Sequence, residues 1–147
     1  MLNWANQFNI FCLLDNQQYN FTTPAFECLL AVGCKKNIEL PDGNAFEKFR
    51  QFYNGEKGWL FGHLGYDLKN ETEKLHSGNF DGIGFADLHF FVPEIVIELK
   101  EKQVTVYCDG NADKIFAEIK AALAIITETK QKVVIESLQK SVEQYKI

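Results

Sequence analysis

Residues 58–93 constrain this chain more tightly than any other stretch, because they read as strand, turn, short helix, loop and strand in one unbroken order. In the first piece Trp59, Phe61 and His63 fall on one face and Leu60, Leu64 and Tyr66 on the other, since side chains alternate along a strand. Apolar residues on both faces predict a strand packed on two sides. Gly58, Gly62 and Gly65 carry no Cβ, so a second backbone or a bulky ring can come close there. Asp67 stands at an N-cap position ahead of a helix predicted over 68–75. Residues 87–92 return to strand and stop at Pro93, which has no N–H to give a ladder.

The flanks supply the other elements. A helical turn over 2–7 precedes a strand over 8–14, where Phe8, Ile10, Cys12 and Leu14 alternate with Asn9, Phe11 and Leu13. Polar residues 15–18 form a turn, and Tyr19 to Phe21 pair back as a hairpin. Residues 26–34 are apolar except for Glu27, which predicts a second buried strand. A turn at 41–43 opens a helix over 44–53, with Asn44 and Glu47 at the capping-box offset and Phe46, Phe49, Arg50 and Tyr53 on one face. Residues 94–100 and 103–108 form a hairpin with one wet face. A helix over 112–126 follows, with Ile115, Ile119, Ala122, Leu123 and Ile126 as its buried stripe. Residues 127–132 are a linker by composition, ahead of a short apolar piece at 133–135 and the beginning of a helix over 138–147. Strands, helix, strands, helix is the order of an α+β fold, mainly antiparallel sheets with flanking helices.

Composition narrows the class. A chain of 147 residues suffices for one core, and 46% hydrophobic residues exclude disorder. No apolar run approaches the length that crosses a bilayer, and no leader pattern opens the chain, so a membrane or secreted protein is not expected. A net charge of -5 argues against a nucleic-acid binder, which needs a clustered basic face. Cys12, Cys28, Cys34 and Cys108 are scattered, as reduced thiols of a cytoplasmic protein are.

Catalytic and metal patterns are missing from the sequence. His63, His76 and His89 lack the close spacing of a zinc site, and Cys28 and Cys34 stand too far apart for a metal knuckle. Gly82-Ile83-Gly84 has no third glycine or following helix to cradle a phosphate. Glu71 and Glu73 cannot face each other on a helix, and with Asp67 they read as solvated charges and a cap. Ser77, Ser137 and Ser141 lie outside any glycine elbow. From the residues alone the chain is an α+β domain without a catalytic site or cofactor of its own.

Residues 58–62, 66–69, Glu71, Glu73, Leu75, Phe85, Asp87, Leu88, Phe90, Phe91 and Pro93 together resemble the amino-terminal region of the chorismate-utilising enzymes. The likeness is nearer to aminodeoxychorismate (para-aminobenzoate) synthase component I than to anthranilate synthase component I. It implies orthogonally packed sheets over 1–126 as a scaffold domain, and it implies that catalysis belongs to a larger carboxyl-terminal domain holding magnesium. Ser141 and Tyr145 look like the opening of that domain's first helix, so 127–147 would be the linker and its truncated start. The implied partners are that domain and a glutamine amidotransferase subunit, with the isolated piece forming a homodimer through uncovered apolar surface. The alternatives are the matching domain of anthranilate synthase component I, or a free-standing binding module of the same fold.

The resemblance also places a tryptophan pocket at Leu29, Leu30, Ala31 and Val32. Ala31 stands where family members carry Glu or His, and Val32 where they carry Ser, so both polar contacts are lost. A buried amine or carboxylate left unpaired costs on the order of several kcal/mol. No regulation by tryptophan is therefore expected, which favours the folate-branch enzyme.

Overall fold

The computed structural model describes residues 1–17, 19, 25–40, 43–73 and 82–124. Helix α1 (Leu2–Ala5) precedes strands β1 (Phe11–Asp15), β2 (Cys28–Val32) and β3 (Lys36–Leu40). Helix α2 (Ala45–Gly55) leads to β4 (Phe61–Leu64), a 3-10 turn (Tyr66–Leu68) and the short α3 (Lys69–Thr72). Strands β5 (Leu88–Val92), β6 (Ile95–Lys100) and β7 (Gln103–Cys108) are followed by α4 (Ala112–Ala124). Among the described residues all pairings are antiparallel, in two sheets ordered β1-β2-β6-β7 and β3-β5-β4. The chain is α+β.

Two strand pairs pass from one sheet to the other. β2 pairs with β6 and β3 with β5, with Val32 opposite Ile95 and Lys36 opposite Val92. Gly33, Cys34 and Lys35 therefore lie opposite only Pro93 and Glu94. One extra residue on one side of a ladder is a bulge, and a bulge bends the ribbon. The Glu94 N–H donates to the Val32 carbonyl at 3.1 Å and the Lys35 N–H to the Val92 carbonyl at 2.9 Å, carrying the ladder across the bend. Gly33 adopts φ +73°, and a Cβ there would stand 2.8 Å from the Glu94 carboxylate carbon. Only glycine takes that backbone and that contact without strain.

The layers follow from alternation. Leu30, Val32 and Ile97 point outward from the first sheet and pack under Trp4, Ala5 and Ile119 of α1 and α4. Leu29, Ala31 and Val96 point inward and meet Phe61 and Phe91 of the second sheet. The outer face of the second sheet presents Leu88, Ile38 and Phe90 to Ala45 and Phe49 of α2 and to Leu68. β2 is buried at every position, and burying one Leu or Val side chain is worth roughly 1.5–3 kcal/mol.

Several expectations are corrected. The strand predicted over 58–66 shrinks to β4 at a sheet edge; only Phe61 of it is buried, and Trp59, Leu64 and Tyr66 are exposed. β1 and β2 are shorter than 8–14 and 26–34, and β3 appears where no strand was predicted. In the β6–β7 hairpin Val96 and Ile97 are both buried, so β6 is covered on two faces and the wet side belongs to the edge strand β7. The Asn44–Glu47 capping box does not form: Asn44 is left-handed at φ 56° with no side-chain cap, and Phe46 and Tyr53 are exposed. Asp67 caps no helix; it lies inside the 3-10 turn, whose N-cap is Gly65, and pairs with Lys69 at 2.7 Å. Parts of the predicted turns at 15–18 and 41–43, the 19–21 pairing, Leu75, His76, Ser77 and residues 125–147 lie outside the described residues.

Candidate functional site

The bend between the sheets opens a cleft of about 480 Å³, lined by Lys35, Trp59, Pro93, Glu94, Tyr107 and Asp109 among others. Trp59 reaches it because the chain has not yet entered β4. Its indole stacks on Phe61 with ring centres 5.9 Å apart and meets the Tyr107 ring at 5.9 Å with a 53° tilt. Tyr107 comes from the edge strand β7, on the same face as its register partner Val96. An ion pair between Lys35 and Asp109 stands at the rim.

The Tyr107 hydroxyl donates to Glu98 Oε2 at 2.8 Å. That bond, with lesser help from desolvation and the carboxylate's charge, pushes the phenol above its ordinary pKa. The cleft thus offers two aromatic walls, a fixed phenol and a charged rim. That is a surface for a flat apolar group with polar ends, not a nucleophile beside a base. The Cys108 thiol in the lining hydrogen-bonds the Gly110 carbonyl at 3.4 Å.

Leu29, Leu30, Ala31 and Val32 are the heart of β2, at most 3% exposed. Leu30 and Val32 pack beneath the helices, Leu29 and Ala31 between the sheets. They do not line the cleft beside Trp59. All four cysteines are free. Burial raises the pKa of Cys12, Cys28 and Cys34, with the charges of Asp15 and Glu94 adding to the effect at Cys28 and Cys34 respectively.

His63 and His89, which the sequence separates widely, stand directly opposite each other on β4 and β5. Their ring centres are 6.0 Å apart, and Phe85 lies 6.1 Å from His63. The His63 Nε2 is 3.1 Å from the Ala86 carbonyl oxygen. Among the described residues no group of three or more His, Cys, Asp or Glu is arranged to hold a metal ion. Asp67, Glu71 and Glu73 do not gather as paired acids. Glu71 instead accepts from the Ala45 N–H at the start of α2, a contact with no local signature along the chain. The Trp59–Tyr107 pair was equally invisible, since it joins the segment ahead of β4 to the edge strand β7 of the other sheet.

A scan against protein-family models and a search of curated proteins found no match to this chain.

Proposed function

We propose that this chain is the amino-terminal, non-catalytic scaffold domain of a chorismate-utilising synthase of the aminodeoxychorismate synthase component I type. In this reading it supports the amination of chorismate to 4-amino-4-deoxychorismate in folate biosynthesis. The observation that carries it is the ordered run of residues between Gly58 and Pro93. An α+β architecture with two antiparallel sheets is compatible with that assignment. The described residues do not fit a magnesium site, and the reading assigns magnesium and catalysis to a carboxyl-terminal domain.

Trp59, Leu64, Tyr66, Ile83 and Phe85 are exposed on and around β4. The reading gives these side chains to the contact with the catalytic domain. The partner delivering ammonia is a glutamine amidotransferase. Ala31 and Val32 leave no polar contact for a tryptophan regulator.

Co-expression with the catalytic segment encoded downstream of Ile147 tests the assignment, with ammonium as nitrogen donor. Formation of 4-amino-4-deoxychorismate that depends on the presence of this chain is the expected result. Anthranilate as product would move the chain to the sister enzyme. A stop codon after Ile147 with no such segment in the genome would sink both and leave a free-standing module.

A further inference from the structure

The geometry points to His63 and His89 as a two-imidazole site for a first-row divalent transition metal, an inference independent of the chorismate reading. The two residues are register partners on neighbouring antiparallel strands, so their side chains leave the same face. Ring centres 6.0 Å apart match the need: two imidazole nitrogens, each about 2.0–2.1 Å from one ion, put the rings roughly 5–6 Å apart. His63 is exposed and His89 half-buried, so an ion can reach both from solvent.

The tautomer of His63 is the second observation. Its Nε2 lies 3.1 Å from the Ala86 carbonyl oxygen. A carbonyl oxygen can only accept, so Nε2 carries the proton and, in the neutral ring, Nδ1 keeps its lone pair. A ring N–H donated to a backbone carbonyl is the usual support behind a metal-bound histidine, fixing orientation and raising basicity. Imidazole pairs suit zinc, nickel and copper rather than magnesium or calcium. With two ligands from the described residues, water can fill the remaining positions, and the bound ion ties the short edge strand β4 to β5.

Zn²⁺ alone, titrated into the chain carrying isotope-labelled histidine, is read by two-bond proton–nitrogen spectra. His63 Nδ1 and one ring nitrogen of His89 are expected to shift together and saturably. His63→Gln and His89→Gln should each weaken the apparent Zn²⁺ affinity at least about tenfold. The wild-type spectra stand without either variant, so a variant that misfolds does not shelter the proposal. It is overturned if the two rings respond at different Zn²⁺ concentrations, if His63 ligates through Nε2, or if neither ring responds at millimolar Zn²⁺.

Discussion

Both carboxylate oxygens of Glu71 accept from the backbone N–H of Ala45, at 2.8 and 2.9 Å, across 26 positions of sequence. The first turn of a helix leaves its N–H groups without intrahelical partners, and a carboxylate there also meets the positive end of the helix dipole. Glu71 does for α2 what the capping box at Asn44 and Glu47 was expected to do.

Replacing that carboxylate should therefore cost more than breaking the expected box. Glu71→Ala is predicted to lower unfolding free energy by about 1 kcal/mol, the usual worth of a cap. Glu47 contacts Arg50 and Gln51 on the exposed helix surface, so Glu47→Ala should cost less than Glu71→Ala. Urea denaturation of the two variants decides the order, and the reverse order would restore the capping box.

Gly62 faces Phe90 across the β4–β5 ladder. A Cβ on Gly62 would come within 2.7 Å of the Phe90 Cα and closer still to the His89 carbonyl oxygen. These are backbone atoms, so relief requires the strands to part. Gly62→Ala should destabilise by about 2 kcal/mol or more, while Gly110→Ala, whose Cβ meets nothing within 4 Å, should stay within about 0.5 kcal/mol. Thermal unfolding of the pair is a direct comparison, and equal midpoints would refute the close approach.

What was legible in the sequence is what depends on neighbours along the chain. The β6–β7 hairpin follows from alternation and a tight turn at Glu101 and Lys102, and α4 from its 3.6-residue stripe. β3 was missed because Lys36–Leu40 carries only Ile38 and Leu40 as apolar anchors, and one pairing partner, β5, decides its state. The two-faced apolar pattern around β4 was legible as hydrophobicity but not as exposure. A strand's place at a sheet edge is set by the order of the other strands. The His63–His89 register was hidden for the same reason, since no short turn joins β4 to β5 and alternation alone leaves the pairing open.

Leu30 tests which strand is the centre of the fold. It is 0% exposed between α1, α4 and its own sheet. Leu30→Ala removes buried methyl groups and leaves a cavity, an expected loss of about 2–5 kcal/mol. Leu64, on the edge strand and 54% exposed, should tolerate Ala within about 0.5 kcal/mol in the isolated chain. Chemical denaturation measures both. If Leu64→Ala were the costlier change, β4 would be covered in solution by something other than the described residues.

The pH dependence of Tyr107 follows from its bond to Glu98. The carboxylate accepts from the neutral phenol and repels the phenolate, so the folded-state pKa is raised above the unfolded value. The sign is that of a group holding its proton more tightly when folded. Its contribution is complete below the ordinary tyrosine value of about 10 and is lost as pH rises through the higher folded value. Carbon-labelled tyrosine followed by NMR should show Tyr107 ionising later than an unbonded tyrosine in the same chain. Glu98→Gln removes the charge yet keeps an acceptor, so the Tyr107 titration should move back toward the ordinary value without disappearing. Tyr107→Phe should remove the late component while leaving the Trp59 stack on Phe61 in place, since the substitution keeps the ring that Trp59 meets and takes away only the hydroxyl. An unchanged Tyr107 titration in Glu98→Gln would mean that the carboxylate does not hold the phenol, and the fixed wall of the cleft would go with it.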